Sequence, residues 1–265
     1  MAESGLLETR LEDGVFNITL TRPEKRNALS IDMLNAIFSA LDAADENRES
    51  RVIVISAEGP VFSSGHDLKE LTAARNNPDR GRDFFDQTMR LCSSVMQKIV
   101  NHRLPVIAKV QGSASAAGCQ LVATCDLAVA SDDAKFITPG VNIGLFCSTP
   151  MVALSRNVAN KHSLEMLLTG EPCPAQKAVE IGLINKAVPV SRVDETVKWY
   201  TDRIMAKSLM TVKTGKQAFY NQVHMPLAEA YDYCAQVMVE NMLKHDAEEG
   251  INAFLEKRQA EWKDE

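Results

Sequence analysis

The chain has 265 residues, 45% apolar and 24% charged, with a formal net charge of −6. This length suits one large domain, or one domain with a helical appendage, and the composition is that of an ordinary globular protein. The acidic balance, with Lys and Arg scattered rather than clustered, argues against nucleic acid as a partner, and no apolar run approaches the roughly 18–20 residues of a membrane helix.

In chain order, residues 6–20 read as a β-hairpin: Glu8-Thr9-Arg10-Leu11, a turn at Asp13-Gly14, then an extended run from Val15 to Leu20 that Pro23 ends. Ser30 is a good N-cap for a helix whose apolar face is Ile31, Leu34, Ile37, Phe38 and Leu41. Residues 51–56 (RVIVIS) form a β-branched run typical of a strand buried on both faces. A polar loop and an amphipathic helix over 83–101 follow, then a second buried strand over 105–110. Residues 112–118 are a turn that opens a short helix through Leu121 and Val122, with further short strands over 126–130 and 134–137. Strand–helix alternation with short links implies an α/β core.

Beyond Pro150 the chain turns mostly helical. Pro150 and Pro174 suit first helical turns, and Gly170 suits a left-handed helix end. Residues 184–188 are the last expected strand, and helices are expected over 193–206, 209–222 and 227–243. Asp246-Ala247-Glu248-Glu249 resembles a capping box for a final helix with Ile251, Phe254 and Leu255 on its apolar side.

Several chemistries are absent. There is no GxSxG, GxGxxG, GxxxxGK[ST] or HExxH. The six cysteines (92, 119, 125, 147, 173 and 234) include no CxxC pair, and no two of the five histidines lie four apart, so no metal site is expected. The thiols are expected to be reduced. Met1-Ala2-Glu3-Ser4-Gly5 shows neither a secretory nor a transit-peptide pattern, so the expected location is cytoplasmic.

Two small-residue segments remain: Phe62-Ser63-Ser64-Gly65-His66-Asp67-Leu68 and Gly112-Ser113-Ala114-Ser115-Ala116-Ala117-Gly118-Cys119-Gln120-Leu121. Each follows an apolar, strand-like run. Gly65 permits a tight bend that can turn the His66 N–H inward. The second segment opens a helix, whose first N–H groups lack partners and sit at the positive end of the dipole. Two such donors on one carbonyl oxygen stabilise an enolate or a tetrahedral oxyanion.

These segments, with Arg22-Pro23-Glu24-Lys25-Arg26-Asn27-Ala28-Leu29, Leu168-Thr169-Gly170-Glu171, Ala175-Gln176-Lys177-Ala178 and Phe254-Leu255-Glu256-Lys257-Arg258, resemble the enoyl-CoA hydratase/isomerase (crotonase) superfamily over nearly the whole chain. The resemblance implies an α/β fold, a crotonase-like ββα spiral core over residues 1–200 with a C-terminal helical trimerisation or lid region over 201–265, and homotrimers or hexamers. It implies an acyl-CoA substrate whose thioester oxygen sits between the His66 and Ala117 N–H groups, with no cofactor beyond the coenzyme A moiety itself. Coenzyme A is expected near Lys25, Arg26, Ala28, Ser64, Gly65, His66, Asp67 and Leu68, with help from Phe254 and Lys257. Gly118, Gly140, Asn142, Cys147 and Ser148 are expected around the acyl group.

The chain departs from the family at the acid–base positions. Gln120, Gly140 and Ser148 stand where family members carry glutamates. A positioned acid or base contributes roughly 10²–10⁴ in rate, and a carboxamide cannot accept a proton. His66 is the nearby group that titrates closest to neutral pH, though its side chain reads mainly as structural. Asp67 reads as a cap, Glu70 lies close by, and Cys119 and Cys147 read as inert packing. The expectation is a crotonase-type acyl-CoA enzyme working through an enolate. The alternatives are a catalytically weak acyl-CoA-binding protein and a malonyl-type decarboxylase, which needs mainly the oxyanion hole.

Overall fold

The computed structural model describes residues 5–265, so Met1 to Ser4 of the N-terminal stretch read for a targeting signal lie outside the described residues. In chain order the elements are β1 (Leu7–Glu12), β2 (Val15–Leu20), α1 (Ile31–Glu46), β3 (Val52–Ala57), β4 (Val61–Ser63), α2 (Leu68–Ala74), α3 (Arg82–Asn101), β5 (Val106–Val110), β6 (Ser113–Ser115), α4 (Ala117–Thr124), β7 (Leu127–Ser131) and β8 (Lys135–Ile137). Then come α5 (Ser148–Asn157), α6 (Asn160–Thr169), β9 (Cys173–Pro174), α7 (Ala175–Glu180), β10 (Lys186–Val188), α8 (Val193–Met205), α9 (Leu209–Gln222), α10 (Leu227–Met242) and α11 (His245–Glu256).

A six-stranded sheet runs β1-β2-β3-β5-β7-β10, parallel except for the β1/β2 hairpin. A four-stranded sheet runs β4-β6-β8-β9. Each turn of the chain gives one strand to the large sheet, one short strand to the small sheet and then a helix: β3-β4-α2, β5-β6-α4, β7-β8-α5. This is a ββα spiral, as the family resemblance implies. The short strands β4 and β6 lie inside segments read as loop and turn. Three residues are too few to show a period of two, and their partners lie some fifty residues away.

The β-branched runs are buried on both faces because two layers cover the large sheet. Ile53 and Ile55 point into the main core with Leu34, Ile37 and Leu41 of α1 and Val95 and Ile99 of α3. Val52 and Val54 face the other way, where Val193 and Val197 of α8 close a second cluster with Ile107 and Val129. Ser30 caps α1 by accepting the Met33 N–H at 3.1 Å, and Gly170 ends α6 at φ +66°, both as expected.

The capping-box reading at Asp246 does not hold. Helix α11 starts one residue earlier, after Lys244. The buried Asp246 carboxylate instead accepts the N–H groups of Lys263 and Asp264, at 2.8 and 2.9 Å. Those donors lie beyond the last helix, and no local pattern reveals them.

Helix α9 is fastened to the core by a buried ion pair that the sequence does not signal. Lys216 Nζ donates to Asp126 Oδ2 at 2.7 Å and to the carbonyls of Ile99 and Leu104 at 3.0 and 2.9 Å. Tyr220 Oη–H donates to Asp126 Oδ1 at 2.9 Å, and the Val106 N–H adds a bond to Oδ2 at 2.6 Å. Burial lowers the Lys216 pKa and raises that of Tyr220. Removing one member of a buried pair strands the other charge, at a cost of about 3–5 kcal/mol. Lys216→Met is therefore expected to destabilise the protein by about 3 kcal/mol in chemical denaturation. The double variant Asp126→Asn/Lys216→Met is expected to recover at least half of that loss, and purely additive losses would contradict the coupling.

Candidate active site

Strands β4, β6 and β8 run parallel in the small sheet, with Ser63 opposite Ala114 and Ser115 opposite Ile137. Their carboxyl ends therefore open on the same side, where ligands collect in parallel α/β sheets. The β4 exit carries Gly65 and His66, the β6 exit Ala116 and Ala117, and the β8 exit Pro139 and Gly140. The Ala116 N–H bonds the Ile137 carbonyl at 2.8 Å, locking the second exit to the third.

The first two exits touch so closely that a side chain does not fit between them. A Cβ on Gly65, at φ +87°, would lie 2.9 Å from the Ser115 carbonyl oxygen and 3.1 Å from the Ala117 nitrogen. A Cβ on Gly118 would lie 2.5 Å from the Ser63 carbonyl oxygen. Gly118 thus seats α4 against β4. Ala117 is the first residue of α4, and neither its N–H nor that of His66 donates in the backbone hydrogen bonds of the described residues. Ala116, just before the helix, sits at φ +49°, ψ −117°, a strained conformation for a residue with a Cβ.

A third segment is stapled alongside. The buried Asn27 accepts the Arg22 N–H and donates to the Glu58 and Val61 carbonyls, each at 2.9 Å. The Ser64 N–H bonds the Arg26 carbonyl at 3.0 Å, and the Leu29 N–H bonds the Gly65 carbonyl at 2.8 Å. Lys25, Arg26 and Ala28 therefore flank the 64–68 loop, with both cationic side chains exposed. Asn27 lies within a recognised motif, yet its type alone does not reveal that it ties its own turn to the 58–61 stretch through three backbone groups.

The side chains sort clearly. Asp67 caps α2, accepting the Lys69 N–H at 2.8 Å and the Glu70 N–H at 3.4 Å. Glu70 accepts the Ile31 N–H at 3.3 Å, and burial raises its pKa. His66 Nδ1–H donates to the Leu29 carbonyl at 3.3 Å, which leaves Nε2 as a buried lone pair without a partner. Burial lowers the His66 pKa and holds the ring neutral. Burial likewise pushes up the Cys147 thiol, and the Cys119 thiol to about 12, so neither is an activated nucleophile. Gly140 packs against Cys147, while Asn142 and Ser148 are exposed, with Asn142 against Gly170. Leu68 is exposed at the start of α2. Phe254 (82% exposed) and Lys257 lie on the outer surface at the end of α11.

Behind α4, a cavity of about 600 Å³ opens between α3, α5 and α9. Gln120, one helical turn beyond Ala117, is the predicted site residue on its wall, with Thr124, Asp126, Arg156 and Tyr220. Gln120 is 4% exposed.

Residues 10–265 match the family model described as enoyl-CoA hydratase/isomerase. The chain belongs to that family. Among its relatives is the rat enoyl-CoA hydratase domain-containing protein 3, mitochondrial, 50% identical over 98% of this chain and 85% of the relative. The human protein of the same name is 51% identical over 96% of this chain and 82% of the relative. The crystal structure of human enoyl coenzyme A hydratase domain-containing protein 3 superposes with a TM-score of 0.93 at 49% identity, covering 97% of this chain and all of that one. An enoyl-CoA hydratase from Mycobacterium smegmatis gives 0.92 at 45% identity, covering 97% and 98%. The crotonase-type fold inferred from sequence is therefore correct. The cytoplasmic expectation is overturned, because the rat, mouse and human relatives are named as mitochondrial. No helix among the described residues is long and apolar enough to cross a membrane.

Buried His102 and half-buried His66 set a pH dependence. His102 Nε2–H donates to the Leu41 carbonyl at 3.1 Å and Nδ1 accepts the Leu104 N–H at 3.0 Å, so its neutral form uses both nitrogens. Burial lowers the pKa of His102 and of His66. Their stabilising contribution is in full force above the ordinary histidine pKa of about 6.5, and it is lost as pH falls from there toward the lowered folded values. The melting temperature is expected to drop between pH 7 and pH 5, and His102→Gln should flatten that drop. An identical slope in the variant would contradict the assignment.

Proposed function

We propose that this family member is an acyl-CoA thioester enzyme of the hydratase/isomerase type. The N–H groups of His66 and Ala117 hold the thioester oxygen and stabilise the enolate that develops on it. The observation that carries this reading is the close seat of Gly65 on the Ala117 nitrogen, with both flanking donors free of backbone partners. Each preorganised donor of this kind is worth about 10²–10³ in rate. Exposed Lys25 and Arg26 offer charge to the coenzyme A phosphates beside the 64–68 loop, and the cavity falls in the usual size range of small-molecule pockets.

A carboxamide at Gln120 and no carboxylate at Gly140 or Ser148 leave the site without the ordinary two-glutamate machinery for adding water. We therefore place the chemistry at the enolate, with crotonase-type proton transfer as the first reading and loss of CO₂ from a malonyl-type thioester as the second. The absence of a carboxylate at all three positions supports keeping the second, because decarboxylation asks little of the protein beyond the oxyanion donors. Leu227, Tyr231, Met238 and Met242 form one exposed apolar stripe along α10, which supports assembly as a homotrimer or hexamer.

Saturating butyryl-CoA is expected to stabilise the protein by roughly 2–3 kcal/mol at a hundredfold excess over its Kd. Proline is tolerated at the first helical position but lacks the N–H. A folded Ala117→Pro variant should therefore lose about 10²–10³ in whichever activity the wild type shows, crotonyl-CoA hydration or CO₂ release from malonyl-CoA. An unchanged melting temperature with butyryl-CoA contradicts the acyl-CoA reading, and unchanged turnover in Ala117→Pro contradicts the donor assignment.

A further inference from the structure

Gln120 is almost fully buried on the cavity wall, yet only half of its carboxamide has a protein partner. Its Oε1 faces the Cys92 thiol of α3, with Sγ 3.9 Å away, and its Nε2 donates to nothing among the described residues. Burial pushes the Cys92 pKa up to about 12, so the sulfur keeps its proton and acts as a donor. A thiol donor selects one of the two carboxamide orientations. The reverse orientation would exchange the S–H···O bond for a weaker N–H···S contact and turn Oε1 toward the cavity. The amide N–H₂ has no protein partner and is not among the fully enclosed polar atoms, so it is open to the cavity and free to donate to an acceptor that a ligand brings there.

We propose that Cys92 is a positioning residue that fixes Gln120 as a hydrogen-bond donor to the acyl group. The site then selects acyl-CoA substrates whose chain carries an acceptor oxygen close to the thioester over plain saturated chains. This rests on the acyl-CoA reading above. A glutamate at the same place would present acceptors and suit a water or an abstractable proton. A fixed carboxamide N–H₂ suits a carbonyl or carboxylate oxygen instead.

The test compares the dissociation constants of acetoacetyl-CoA and butyryl-CoA, which differ mainly by one oxo group, using calorimetry on the full-length protein. Wild type is expected to prefer acetoacetyl-CoA by about fivefold, the size of one net hydrogen bond. Gln120→Leu should bring the ratio to about one. Cys92→Ala should lower the ratio at least twofold, and Cys92→Ser should keep it, because the hydroxyl still donates. A purely structural Cys92 would change the melting temperature and leave the ratio alone, which overturns its positioning role. Equal affinities in wild type overturn the inference while leaving the acyl-CoA reading intact. Binding of neither ligand overturns both.

Discussion

Strands β4 and β6 pair side by side, and two glycines let the loops that leave them press together. Gly65 at φ +87° packs on the Ser115 carbonyl and the Ala117 nitrogen, and Gly118 packs on the Ser63 carbonyl. A methyl group at either position would force the loops apart, because the obstructing atoms are backbone and cannot rotate away. Everything proposed for the site inherits its geometry from this contact: the two donors, the start of α4, and the placement of Gln120 one turn along it. The strain at Ala116 belongs to the same contact, since the chain must reverse within one residue between β6 and α4.

Around that contact, burial controls charge. The His66 ring is held neutral, and the Cys119, Cys147 and Cys92 thiols are held protonated by the same desolvation. The site thus presents fixed dipoles more than ionised side chains, which fits a reaction that develops negative charge on the substrate's own oxygen. The buried ion pair of Asp126, on the cavity wall, with Lys216 fastens α9, whose Phe219 and Tyr220 also line the cavity. It sets the cavity's shape through α9.

Local chemistry was legible in the sequence where it was strong. The β-branched runs of β3 and β5, the Ser30 cap, the Gly170 helix end and the boundaries of α9 all stand within a residue or two of their expected places. The ordered small-residue motifs pointed to the family and to the two loops. The illegible features depend on partners far along the chain. Asn27 bonds residues thirty or more positions away, Lys216 meets Asp126 across ninety, and Asp246 serves a tail seventeen residues later. No window of local sequence contains both members of such a pair. Three-residue strands likewise have no periodicity to read, so β4 and β6, which build the site, passed as loop and turn.

The most direct measurement is a crystal structure of the protein with butyryl-CoA bound. The account predicts the thioester oxygen at about 2.7–3.1 Å from both the His66 and the Ala117 backbone nitrogens. A thioester oxygen that points into solvent, or that reaches one nitrogen and not the other, would contradict it.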